Sequence, residues 1–223
     1  MFGYFYNQNL RKLVVGFGTL FSNVQVQHSN PDESTEGNFT IRVPITYAPQ
    51  EKFIRRLLEP SSISSGTRIE NQLPRMSYII TNILPDPSRR RNKINPVSSS
   101  IVANNQCTSV GEQIFEQVPV NVSFSLFIYT RHIDDTLQIF EQIIPYFNPD
   151  HFIKLSMNSV QESVDIPITM VSNNMTERYD GDFGNRRINI SSINFLAKSF
   201  IYGKVESYTS IQEPGVINIL EDI

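Results

Sequence analysis

The run VPVNVSFSLFIYT, Val118–Thr130, constrains this chain more than any other stretch, because apolar and small polar side chains alternate along it. Val118, Val120, Val122, Phe124, Leu126 and Ile128 fall on one side, with Asn121, Ser123 and Ser125 on the other. A period of two places one set on a single face only if the backbone is a strand. A strand with one apolar face belongs in a sheet that has helices packed against that face.

The run leads straight into YTRHIDDTLQIFEQIIPYF, residues 129–147, where a histidine and two adjacent aspartates head a helical pattern. Asp134 and Asp135 suit a helix start. An Asp there accepts a backbone N–H, and its charge meets the positive end of the helix dipole, worth about 0.3–1 kcal/mol. Downstream, Leu137, Phe140, Ile144 and Phe147 form one stripe, flanked by Ile139 and Ile143, while Gln138, Glu141 and Gln142 point away. Pro145 kinks or ends the helix. Arg131 can hold one of the carboxylates bidentately and fix the corner, or reach across to a neighbouring subunit.

The same residues support a competing reading, a metal-dependent hydrolase or nuclease using His132, Asp134 and Asp135. Adjacent aspartates diverge on a helix, so such a site needs ligands from elsewhere, and the only other histidines are His28 and His151. Helix initiation is the simpler reading. No catalytic, metal-binding or cofactor-binding residue is assigned. GFG at 16–18 follows no strand and lacks the third glycine of a dinucleotide loop. DGDFG at 180–184 is a turn without the other elements of a kinase or calcium site.

Elsewhere the pattern alternates between strands and loops. Residues 8–20 form a helix with Leu10, Leu13, Val14 and Phe17 on one side. SNVQVQH and FTIRVPITYAP make a hairpin around a polar tip, with Phe39, Ile41, Val43 and Ile45 on one face. Pro44 puts the second strand at a sheet edge or a bulge. PQEKFIRRLLEP gives another helix, closed by Pro60. PRMSYIITNIL, VDIPITMV and RRINISSINFLAKSFIYG are further strands. The spacing predicts an α+β fold, a mostly antiparallel sheet of six to eight strands flanked by about three helices. It is a single domain over 1–223, with extended loops near 29–38, 86–109 and 172–185 and a poorly defined tail after 203.

Composition narrows the function. A formal charge of −3 argues against a general nucleic-acid binder. Charged residues are only 18% of the chain, and Asn, Ser, Gln and Thr carry much of its polarity, which suits a surface covered by neighbours. The lone cysteine, Cys107, forms no disulfide within the chain and fits a reducing compartment. No run approaches the roughly 20 apolar residues that span a bilayer. Arg89, Arg90 and Arg91, and Arg186 with Arg187, are candidate contacts for phosphates or acidic partners.

MFGYFYN at the start, IRVPITYAPQEKFIRRL, the LPR at 73–75, YTRHIDDTLQIFEQIIPYFNP and DGDFGNRRINISSINF carry a resemblance. They are similar to the tail sheath stabiliser (tail completion, tail-cap) proteins of T-even-like contractile-tailed bacteriophages, from the first residue to about Tyr202. The resemblance implies a fold related to phage tail terminators and a homohexameric ring at the head-proximal end of the tail. Its partners would be the tail-tube terminator, the sheath subunits and the head-neck (connector) proteins, with DNA only in transit through the lumen. It implies no catalysis, no cofactor and no membrane. The protein would reside in the virion, after assembly in the host cytoplasm, with Arg89–Arg91 and Arg186–Arg187 facing partners or the lumen.

Overall fold

The computed structural model describes residues 4–28, 39–52, 73–90, 97–101, 108–114, 117–156, 163–178 and 188–211. Strand β7 (Val118–Thr130) lies inside a six-stranded sheet. Its neighbours are β4 (Arg75–Pro85) and β10 (Ile188–Ile201), both antiparallel to it. Beyond them come β3 (Ile45–Tyr47) on one side, and β9 (Val164–Arg178) then β8 (Asp150–Leu155) on the other. All neighbours pair antiparallel except β3 with β4.

The apolar face of β7 is covered by α1 (Asn9–Leu20) and α2 (Ile133–Ile143). Leu13 and Phe17 of α1 are fully buried against Phe124, Leu126, Ile193 and Phe195. The Phe17 ring stacks on Phe124 at 4.3 Å and meets Phe195 edge-on at 5.4 Å. Each such burial contributes about 1.5–3 kcal/mol. α1 also comes close to β4. A Cβ on Gly18 would lie 2.3 Å from the Tyr78 hydroxyl, which donates to the Val14 carbonyl at 3.0 Å.

A second layer is the hairpin β1 (Gln25–His28) and β2 (Phe39–Arg42). The chain leaves it at Val43, whose N–H donates to Val24, and enters the six-stranded sheet at its edge after Pro44. Pro44 therefore marks an edge, as its missing N–H requires. The apolar face expected for this strand is only half covered. Val43 is buried, whereas Phe39 and Ile41 are exposed, because the chain changes sheets between them.

Several expectations are corrected. The described residues contain eleven strands. Residues 86–109 are not one loop: a 3₁₀ turn at Pro87–Arg89, β5 (Val97–Ile101) and the start of β6 (Thr108–Ile114) occupy much of them. Residues 172–178 continue β9 rather than forming a turn. The tail beyond 203 carries β11 (Val205–Ile211). β5, β6 and β11 form a three-stranded antiparallel sheet, β11-β6-β5. Its register is that of the main sheet continued. Ile201 faces Val118, and past a break of three residues on each strand Val205 faces Ile114. In pairing register, the three strands are thus an arm that continues β7 and β10. At the break, the Asn7 amide donates to the Tyr202 and Gly203 carbonyls at 3.1 and 2.8 Å.

The helix expected over 49–60 is helical at Gln50, Glu51 and Lys52, and its remainder lies outside the described residues, as does the 29–38 tip. No helix among the described residues is long and apolar enough to cross a membrane.

Candidate functional site

At the corner between β7 and α2, Arg131 and His132 form an exposed bend and Ile133 begins the helix. The cap position is His132, which makes no side-chain capping bond, so neither aspartate is the cap. Asp134 and Asp135 sit in the first turn, where their charge still favours the dipole. The two point differently. Asp134 is exposed, while Asp135 is only 4% exposed, with its Oδ1 3.5 Å from Nε2 of His28 at the end of β1. Burial raises the Asp135 carboxyl above its ordinary range, the imidazoles of His28 and His132 pull it back, and Asp134 adds to the rise. Beside it, the buried hydroxyls of Thr130 and Thr136 share a hydrogen bond that ties strand to helix.

These contacts set the rotation of α2, and they correct its expected stripe. Thr136, Ile139, Phe140 and Ile143 face the core, while Leu137 and Ile144 are exposed. Gln138 and Gln142, expected to point away, reach the backbone of β1. Periodicity alone leaves such a stripe free to turn by a residue, and here polar contacts decide it.

The corner does not gather His132, Asp134 and Asp135 around one point. Among the described residues, no group of three or more His, Cys, Asp or Glu could hold a metal ion.

Arg89, expected to face partners or the lumen, is held by contacts within the chain. Its Nε donates to Asp86 at 2.7 Å and its Nη2 donates to Asn121 at 2.9 Å and the Val120 carbonyl at 3.3 Å. Its guanidinium lies 5.3 Å from the centre of the Phe200 ring. Hydrogen bonds from Ser88 and Arg89 hold the Asp86 carboxyl well below the ordinary range. The sequence signal was present: Asp86 followed by Pro87 is a helix-start pair. Arg90 is exposed, and Arg91, Arg186 and Arg187 lie outside the described residues.

The outer surface carries many large apolar side chains. Tyr4, Phe5 and Tyr6 are 95%, 49% and 59% exposed in succession, and Tyr146, Phe152 and Val171 are also over half exposed. Arrays of this kind offer contact area, not chemistry. On the face of the sheet away from the helices, Ser125 donates to Asn194 at 2.6 Å and Asn194 to Ser172 at 3.0 Å, a polar line across three strands.

Comparison with protein families matches residues 4–221 to the family described as T4-like virus Myoviridae tail sheath stabiliser. Among curated proteins, the chain is 34% identical over 213 residues to "Tail completion protein gp15" of Enterobacteria phage T4, covering 92% of this chain and 75% of that one.

Proposed function

This chain belongs to the tail sheath stabiliser family of T4-like viruses, and from that premise we propose that it works as a ring of six identical copies at the head-proximal end of the contractile tail. Its role is structural, that of a tail sheath stabiliser or tail completion protein, and its place is the virion tail. In the proposed ring the copies meet head to tail, an arrangement that closes when the rotation per copy divides the circle. One face rests on the tail-tube terminator and caps the sheath subunits, and the other meets the neck proteins of the head. DNA passes through the lumen ungripped, which suits a chain of net charge −3 because strong phosphate binding would hold the DNA back. Assembly takes place in the host cytoplasm.

The observation that carries this reading is the row of exposed large apolar side chains, Tyr4, Phe5 and Tyr6 foremost, on a chain matched to the family over residues 4–221. Apolar surface of this kind gains about 25 cal/mol per Å² when a neighbour covers it. Arg90, Arg91, Arg186 and Arg187 are the proposed contacts to acidic partner surfaces or the lumen. The hydrolase reading has no observation in its favour.

Light scattering over a range of protein concentrations tests the ring. A mass six times that of the 25.5 kDa protomer is expected. A protomer that neither self-associates at any concentration nor binds isolated tails overturns the proposal.

A further inference from the structure

A groove of about 820 Å³ runs between one flank of α1 and strand β8. Its floor is apolar, from Val15, Ile153 and Leu155, and its rim is basic, from Arg11, Lys12 and Lys154, with no Asp or Glu among the described residues that line it. The helix lies close to the strand at Gly16, where a Cβ would meet Leu155 Cδ2 at 3.1 Å. Lys12 Nζ donates to the Ser156 carbonyl at 2.8 Å and fixes one end. Arg11 and Lys154 have no ion-pair partner among the described residues. β8 is the outermost strand of its sheet, and among the described residues its other edge pairs with no strand. An open strand edge over an apolar floor with a cationic rim fits an extended, apolar, acidic segment that adds as a further strand.

The chain contains such a segment. Residues 216–223, VINILEDI, combine five apolar aliphatic side chains with Glu221 and Asp222, and lie outside the described residues. We propose that the groove receives residues 216–223 of a second copy of this chain, as a strand added to β8, with Glu221 and Asp222 facing Arg11 and Lys154. The proposal rests on the ring reading and gives it an interface.

Reach decides between the chain's own segment and a neighbour's. Ile168 of β9 faces Ala197 on one side and His151 on the other, so along these ladders Ile201 stands level with Leu155. From Ile201 the arm keeps its register with β6 and carries the chain outward to Ile211. Laid out straight at ~3.3 Å per residue, the strand puts that end about 30 Å past Ile201. Residues 212–215 span at most about 14 Å. The segment therefore falls short of its own groove. Each copy gives a strand to the next and receives one, the head-to-tail pattern of a closing ring.

The test uses the full chain. With Cys107→Ser throughout, a Lys154→Cys chain mixed with a Leu220→Cys chain should form disulfide-linked pairs on oxidation. A doubly substituted chain that closes only within itself overturns the assignment to a second copy. A fluorescent peptide of residues 212–223 is then added to a Glu221→Lys, Asp222→Lys chain, whose own segment no longer competes. Binding should weaken at least tenfold when Arg11→Glu and Lys154→Glu are added, and return with a peptide bearing the same acid-to-lysine changes. No binding, or binding indifferent to the groove charges, overturns the groove. A six-fold mass that persists without peptide binding removes the groove proposal and leaves the ring. Groove-dependent peptide binding, with an unsubstituted chain that stays at 25.5 kDa at every concentration and does not bind isolated tails, removes the ring and leaves the groove.

Discussion

The side-chain amide of Gln138 satisfies both backbone groups of Gln27: Oε1 accepts from the Gln27 N–H at 2.9 Å, and Nε2 donates to its carbonyl at 3.1 Å. One helical turn on, Gln142 repeats the arrangement with Gln25, accepting at 3.1 Å and donating at 2.5 Å. Two glutamines of a helix thus stand where a third strand would pair with β1. Residues 25 and 27 turn their backbone toward α2, while Val26 between them is fully buried. Removing both amides with Gln138→Ala and Gln142→Ala should cost about 2–3 kcal/mol, the low end for four solvent-exposed hydrogen bonds at about 0.5–1.5 kcal/mol each. Urea unfolding reads the loss, and amide exchange at Gln25 and Gln27 should quicken more than at β7.

Gly18 is a packing requirement. Because a Cβ there would sit 2.3 Å from the Tyr78 hydroxyl and 2.8 Å from its ring carbon Cζ, α1 has no room for alanine. Gly18→Ala gains helix propensity but overpacks, and the expected net loss is about 1–3 kcal/mol. Adding Tyr78→Phe removes the hydroxyl and should restore part of that loss. A double variant no more stable than Gly18→Ala would show that the ring carbons, not the hydroxyl, set the limit.

The Arg89 contacts predict a split between neighbouring arginines. Arg89→Ala leaves Asp86 and Asn121 without their charged donor and uncovers Phe200, at a cost of about 1–3 kcal/mol. Arg90→Ala, on an exposed side chain, should stay within about 0.5 kcal/mol. Arg89→Lys should recover little, because an ammonium replaces a planar fork that reaches Asp86 and Asn121 together. Thermal unfolding of the three variants checks the order.

What was legible in the sequence follows from where side chains alternate. β7, β4 and α1 could be read because their apolar sets repeat at one period and face one core. The far half of β9 could not: SNNMTER has Met175 as its one apolar residue, shows no apolar face, and is held by its ladder to β10. The arm strands hid for a related reason, since VSSSI and VESYTSI carry too few apolar residues to show a face. At the corner, the type and start of α2 were legible, but its rotation was not. That rotation is set by His28 and by the β1 backbone, more than 100 residues away in sequence, and a local pattern contains no trace of such a partner. The internal contacts of Arg89 were hidden because a triple arginine in a proline-rich run resembles a solvated arm. The Asp86 N-terminal to it was the signal to weigh.

Asp135 makes stability depend on pH with a defined sign. Its folded pKa lies above the ordinary 3.8, chiefly through burial, so the folded state holds the proton more tightly than the unfolded chain. The stabilisation from that proton is complete below about 3.8 and is lost as pH rises through the folded pKa. Asp135→Asn keeps the shape and removes the titration. Relative to this variant, the wild-type protein should lose stability as pH climbs through that window. Urea unfolding at a series of pH values measures the difference, and parallel curves for the two proteins would mean that the Asp135 carboxyl does not titrate differently on folding.

Docking to tail or neck can be separated from folding at the same triple arginine. Arg90→Ala with Arg91→Ala leaves the Arg89 contacts intact and removes two positive charges from the stretch that follows the 3₁₀ turn. If this stretch meets an acidic partner surface, the double variant should melt with the wild-type protein yet join heads to tails less efficiently at low salt, with a defect relative to the wild type that narrows as salt rises and screens the arginine contacts only the wild type has. Charge-preserving Arg90→Lys with Arg91→Lys should retain much of the joining if charge alone is read, and little of it if bidentate pairing is needed. Complementation of a phage lacking the gene, scored as the yield of joined particles, distinguishes these outcomes. Full joining by the alanine variant at every salt concentration would remove the arginines from the interface and leave the exposed aromatic residues to carry it.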